Sequence, residues 1–142
     1  MKVQDIMTTP ALTVGLDMPV LEARQLMERQ RIRHLPVTDG GRLMGIITDR
    51  DIRLNLPSPA TSLSVWEVKY LIARLTVGSV MRRAVITIDQ HREAAEAARI
   101  MLDHKIGALP VVDGGVVVGI VTETDMLRAF ATLATGTSLI AR

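Results

Sequence analysis

A chain of 142 residues, 48% of them hydrophobic, can bury a core as one domain or two small ones, and with only Trp66, Tyr70 and Phe130 aromatic that core must be aliphatic. The lack of cysteine excludes disulfides, cysteine nucleophiles and thiolate metal sites, and a net charge of +2 is too nearly balanced for the pI of about 9.5 to mark a nucleic-acid binder. No apolar run is long enough to span a bilayer and "MKVQDIMTTP" lacks a secretory core, so the sequence reads as a soluble, cytoplasmic protein.

In chain order, Ala11–Val14 reads as a short extended piece and Pro19–Arg31 as a helix, with Pro19 suited to the first turn and Val20, Ala23 and Met27 at helical spacing. His34–Thr38 and Leu43–Thr48 are β-rich runs around Asp39-Gly40-Gly41, a hairpin signal because glycine tolerates the positive φ of tight turns. A second helix starts near Asp49. Pro57, Ser58 and Pro59 then break the chain. Ser64 and Glu67 have capping-box spacing, and Val65, Val68, Leu71, Ile72 and Leu75 form an apolar stripe, so this connection is structured. An extended piece at Val85–Ile88 and a helix over Glu93–Lys105 follow, with Ala94, Ala97 and Met101 on its apolar face. β-runs Ala108–Val112 and Val116–Thr122 flank Asp113-Gly114-Gly115, and a last helix starts near Glu123. Gly136 stops that helix, leaving Ser138–Arg142 as a frayed end.

The second series repeats the first. An offset of 74 residues sets Val3 on Val77, Met7 on Met81, Thr13 on Thr87, Leu35-Pro36-Val37 on Leu109-Pro110-Val111, Asp39-Gly40-Gly41 on Asp113-Gly114-Gly115, Thr48 on Thr122 and Asp51 on Asp125, without a gap. Two copies are too few for a solenoid, so a pseudo-symmetric pair of β-α-β-β-α units is the simpler solution. The expected organisation is repeat 1 at 1–56, a helical connection at 57–76, repeat 2 at 77–130, and a helix end with tail at 131–142.

The runs "RHLPVTDGGRLMGIITDRDI" and "GALPVVDGGVVVGIVTETDM" make the chain resemble a tandem pair of CBS domains, the arrangement called a Bateman module. The resemblance covers roughly residues 1–130 and rests on the Leu-Pro-Val run, the Asp-Gly-Gly turn and the Gly-hydrophobic-hydrophobic-Thr-x-x-Asp ending. It implies an α/β (α+β) fold in which two repeats pack through their sheets by pseudo-two-fold symmetry, with two ligand clefts between them. It also implies an adenosine-containing ligand, AMP, ADP or ATP first and S-adenosylmethionine as a further candidate. A homodimer of CBS pairs is implied too. Without a catalytic motif of its own, such a module would regulate a separate protein.

Thr48-x-x-Asp51 and Thr122-x-x-Asp125 carry two readings. As helix caps, each threonine hydroxyl accepts a backbone N–H and each acid favours the positive helix end, together about 1 kcal/mol per helix. As a ligand site, the free N–H groups and the threonine face a phosphate, and the acceptor-only carboxylate takes a ribose diol; the resemblance gives Asp51 and Asp125 that ribose role. The two readings compete for the same aspartate oxygens. Arg33 and His34, just before Leu35, and Arg50 inside the first motif have Gly107, Ala108 and Thr124 as counterparts, so phosphate-gripping groups are unequal between the copies. The expectation is two unequal sites. Thr13, Val14, Thr87 and Ile88 are candidates to flank the base, where relatives use backbone groups; they read equally as ordinary strand residues.

Other chemistry finds little support. His34, His91 and His104 lie far apart with no ligand cluster, and no P-loop or Gly-x-Ser-x-Gly motif occurs. No catalytic residue, metal or required cofactor is expected. A scaffold with empty clefts stays open beside the sensor, whereas scarce stacking aromatics argue against nucleic acid despite the arginines near residues 24–33.

Overall fold

The computed structural model describes residues 1–58 and 60–136, and Ser138–Arg142 lies outside them. Its elements in chain order are α1 (Val3–Ile6), α2 (Val20–Gln30), β1 (His34–Asp39), β2 (Arg42–Thr48), α3 (Asp49–Asn55), α4 (Val65–Ala73), α5 (Val77–Val80), α6 (Ala94–His104), β3 (Ala108–Asp113), β4 (Val116–Thr122) and α7 (Glu123–Thr135). They form two compact mixed α/β units that cut across the repeat order. One unit joins Met1–Ala11 to the chain from Ile86 onward, and the other is Leu12–Val85.

In the Leu12–Val85 unit, β1 and β2 form an antiparallel hairpin whose register sets His34 opposite Thr48 and Val37 opposite Gly45. The Gly40-Gly41 turn has φ of 58° and 83°, the left-handed region that favours glycine. Behind the hairpin, α2 and α3 bury Val20, Ala23, Met27 and Ile52 against Leu35, Val37 and Ile47. Val77, Val80 and Met81, from the start of the second repeat, complete this core. The other unit is built alike: α6, α7 and the β3–β4 hairpin bury Ala97, Met101, Leu109, Val111 and Val121, and Val3, Ile6 and Met7 close the core. Each unit thus borrows its short leading helix from the other repeat.

The extended pieces shrink to single parallel bridges, Val14 on Val37 and Ile88 on Val111. Proline explains this. The Val14 N–H bonds Pro36 O (3.1 Å) and the Thr38 N–H bonds Val14 O (2.9 Å). The next parallel rung would need an N–H from Pro36, which has none. Pro110 imposes the same limit beside Ile88.

The long helices follow the expected ranges to within a residue, with Pro19 at the N-cap of α2 instead of in its first turn. Their C-caps are Arg31 and Lys105, both left-handed at φ 54°, where glycine is usual. The Ser64–Glu67 capping box forms at the start of α4. The stripe on α4 buries less than its pattern suggests: no α4 residue is buried, and Val65, Trp66, Tyr70 and Leu71 are exposed.

Candidate functional site

Both Thr-x-x-Asp motifs sit where the second strand of a hairpin turns into a helix. Thr48 ends β2 and caps α3; Thr122 ends β4 and caps α7. The capping boxes are reciprocal. The Asp51 N–H donates to Thr48 Oγ1 (3.1 Å) and the Thr48 N–H to Asp51 Oδ2 (3.1 Å). The Asp125 N–H donates to Thr122 Oγ1 (3.3 Å) and the Thr122 N–H to Asp125 Oδ2 (2.9 Å). Apart from these acids no polar or charged residue is buried among the described residues, at 6% exposure for Asp51 and 3% for Asp125. A carboxylate is held out of water only when its oxygens are met by donors.

The competition between cap and ligand resolves by oxygen. In each motif Oδ2 accepts the cap N–H, and Oδ1 faces side-chain donors carried on a backbone strap. In the Leu12–Val85 unit, Ile46 and Arg82 exchange N–H···O bonds of 3.0 and 2.8 Å beside β2, which brings Arg82 Nε to Asp51 Oδ1 at 3.0 Å. In the other unit, Thr8 and Ile120 exchange bonds of 2.8 and 3.0 Å beside β4, and the Thr8 hydroxyl donates to Asp125 Oδ1 at 3.1 Å. Arg128 Nη1 donates to the same oxygen at 3.2 Å, and the Thr122 hydroxyl reaches Oδ2 at 3.1 Å. Thr8 and Arg82 are repeat equivalents, 74 residues apart.

Glycine makes the straps possible. A Cβ on Gly45 would stand 2.6 Å from Arg82 O and 2.7 Å from Met81 Sδ, and one on Gly119 would stand 2.8 Å from Met7 Sδ and 2.9 Å from Thr8 O. No side chain fits between strand and strap at these two positions.

The other candidates from the sequence are placed as follows. Opposite Thr48 in the hairpin lies His34, half-buried. Arg33 presents its carbonyl to the Asp49 N–H at 3.0 Å, so the backbone before β1 also meets the start of α3. The counterpart bond runs from the Glu123 N–H to Gly107 O, also 3.0 Å. The Arg33 and Arg50 side chains are exposed and form no ion pair among the described residues. Val14 and Ile88 are buried, with N–H and carbonyl bonded to β1 and β3, so their N–H groups are committed to the hairpins; Thr13 and Thr87 beside them are half-buried. Val14 bridges Val37, three residues along β1 from His34, about 10 Å from the Thr48 end. Sequence reasoning passed over Thr8, Arg82 and Arg128. Their signals were the repeat offset for the first two and the i, i+3 spacing from Asp125 for the third.

Among the described residues no group of three or more His, Cys, Asp or Glu side chains could hold a metal ion, and no helix is long and apolar enough to cross a membrane.

The CBS domain family model matches residues 3–58 and 77–132. A CBS domain-containing protein of Dictyostelium discoideum is 35% identical over 127 residues, 88% of either chain. The chain also aligns at 33% identity with an L-aspartate semialdehyde sulfurtransferase of Methanocaldococcus jannaschii, spanning 90% of this chain but 23% of that enzyme. Among solved structures, the CBS domain pair of protein MJ0100 in complex with 5′-methylthioadenosine and S-adenosyl-L-methionine superposes with a TM-score of 0.78 at 32% identity, covering 94% of this chain and 98% of that one. CBSX2 of Arabidopsis thaliana, in complex with AMP, gives 0.76 at 28% identity, with coverage of 94% and 98%.

Proposed function

The chain belongs to the CBS domain family, and on that premise we propose that it is a non-catalytic regulatory module whose Thr-x-x-Asp motifs bind an adenosine-containing ligand. AMP, ADP and ATP are the first candidates and S-adenosylmethionine the next. One observation carries the reading. Each buried aspartate gives Oδ2 to the N–H of its cap and turns Oδ1 toward side-chain donors outside the cap, so Oδ1 is the oxygen at which a ribose hydroxyl can be accepted while the helix start stays intact. Two structural neighbours, one in complex with S-adenosyl-L-methionine and one with AMP, support the same ligand class. Arg33, His34 and Arg50, whose backbone adjoins Thr48 through the hairpin pairing and the start of α3, are the proposed phosphate-facing groups. Thr13, Val14, Thr87 and Ile88 flank the base.

Signalling would pass through the straps. A ribose hydroxyl accepted at Asp51 Oδ1 shares that oxygen with Arg82 Nε, so the ligand-bound and free states differ in how Arg82 is held; that differential contact lets a ligand shift a conformational equilibrium. The regulated partner is a separate protein. A homodimer is favoured by the row Leu127, Phe130 and Leu133 on α7, each 65–70% exposed, an apolar face that a second copy could cover.

A thermal-shift series with AMP, ADP, ATP and S-adenosylmethionine tests the reading. A ligand at about a hundred times its Kd adds roughly 2.7 kcal/mol, a rise of several degrees. A rise with one of these compounds that Asp51→Ala or Asp125→Ala removes is the expected result. A cooperative melt that none of them moves would favour the scaffold instead.

A further inference from the structure

The two aspartates are not equally available. An ionised carboxylate offers about four lone-pair sites. At Asp125 four donors already meet it: the Thr122 N–H and hydroxyl on Oδ2, and the Thr8 hydroxyl and Arg128 Nη1 on Oδ1. At Asp51 two donors do so, the Thr48 N–H on Oδ2 and Arg82 Nε on Oδ1. The difference is written into the sequence. Arg128 has Leu54 as its repeat counterpart, an exposed side chain that cannot donate, and Thr8 has Arg82. A diol brings two O–H donors. Asp51 can receive both without giving up either existing bond, whereas Asp125 must first lose Thr8, Arg128 or its own threonine.

We propose that Asp51 is the ligand-receiving aspartate and that Thr8 and Arg128 act as positioning residues that keep Asp125 closed, so that a ribonucleotide occupies the Asp51 motif first. The inference rests on the adenosine reading above and adds which motif works and what blocks the other. The closure is a ground-state property: Thr8 is fixed by its paired backbone bonds to Ile120, and Arg128 lies one helical turn from Asp125 on α7. Removing these donors should therefore open the second motif without touching the first.

The experiment is a calorimetric titration of AMP into the wild-type chain, Asp51→Asn, Arg128→Leu, and the double variant Thr8→Val with Arg128→Leu. Arg128→Leu copies the residue that the first repeat already carries and changes a side chain that is 45% exposed, so it keeps the test open should the double variant fold poorly. The expected result is one AMP per wild-type chain, at least tenfold weaker binding in Asp51→Asn, and a second AMP per chain, or a second phase tightened at least fivefold, once the Asp125 donors are removed. Two equal AMP molecules per wild-type chain, undiminished binding in Asp51→Asn, or opened variants that gain nothing would each overturn the inference while leaving the adenosine reading standing. No AMP, adenosine or S-adenosylmethionine binding to any of the four chains would overturn both.

Discussion

Replacing Gly119 by alanine puts a methyl group where the strap of its unit runs closest to β4. The new Cβ would lie 2.9 Å from Thr8 O and 2.8 Å from Met7 Sδ. The sulfur sits on a flexible side chain and can retreat. The carbonyl cannot, because Thr8 is paired with Ile120 through bonds of 2.8 and 3.0 Å. Overpacking of this kind costs about 1–3 kcal/mol, and loosening the paired backbone bonds adds roughly 1 kcal/mol. A total of about 2–4 kcal/mol corresponds to a melting point lower by roughly 10 °C. Gly45→Ala, with Arg82 O at 2.6 Å, should be at least as damaging. Gly15→Ala serves as the control: nothing lies within 4 Å and its φ is not positive, so it should be neutral or slightly stabilising. Urea unfolding of the three variants measures the differences. If Gly119→Ala and Gly45→Ala both fall within about 0.5 kcal/mol of Gly15→Ala, a range usual for innocuous changes, the strap is not held as described.

Arg31→Gly and Lys105→Gly relieve left-handed C-caps at φ 54° and should each raise stability by about 0.5–1 kcal/mol in the same assay, whereas alanine there should not. Asp125→Ala should cost more stability than Asp51→Ala, about 2–3 against 1–2 kcal/mol, because more donors lose their acceptor; equal melting points would contradict this. The hydrogen bond from Lys2 Nζ at 2.6 Å, with the Lys2 charge and the N-terminal ammonium behind it, holds Glu93 below its ordinary carboxylate pKa. A depressed folded pKa means that this tie is present above the ordinary carboxylate range and lost as pH falls through the lowered value. The protection factors of the Val3–Ile6 amides, that is, exchange rates corrected for their intrinsic pH dependence, should therefore fall in acid, and Glu93→Gln should flatten that change.

The repeat was legible because hydrophobic period, Asp-Gly-Gly turns and Thr-x-x-Asp endings are local signals, and they placed the hairpins and long helices to within a residue or two. The capping box at Ser64 and the threonine caps at Thr48 and Thr122 were legible for the same reason, whereas the return bonds from the Thr48 and Thr122 N–H groups to Asp51 and Asp125 were not. What the sequence hid is non-local. That Val77, Val80 and Met81 close the core of the first repeat's hairpin depends on where the chain travels after α4, and no spacing rule reports it. Thr8 and Arg82 escaped attention because an unremarkable polar residue after a methionine gains its role only through backbone pairing with β4 or β2. In the sequence Pro36 is simply part of the Leu-Pro-Val run, and its missing N–H, which limits the neighbouring extended piece to Val14, counts only once that pairing is known.

The most direct measurement is a parallel calorimetric titration of AMP and its 2′,3′-dideoxy analogue into the wild-type protein. Ribose accepted by a buried aspartate predicts that AMP binds and that the dideoxy compound binds at least tenfold more weakly, the loss of two hydrogen bonds to a charged acceptor. Equal affinities, or no heat with either compound, would contradict a ribose role for Asp51 and Asp125.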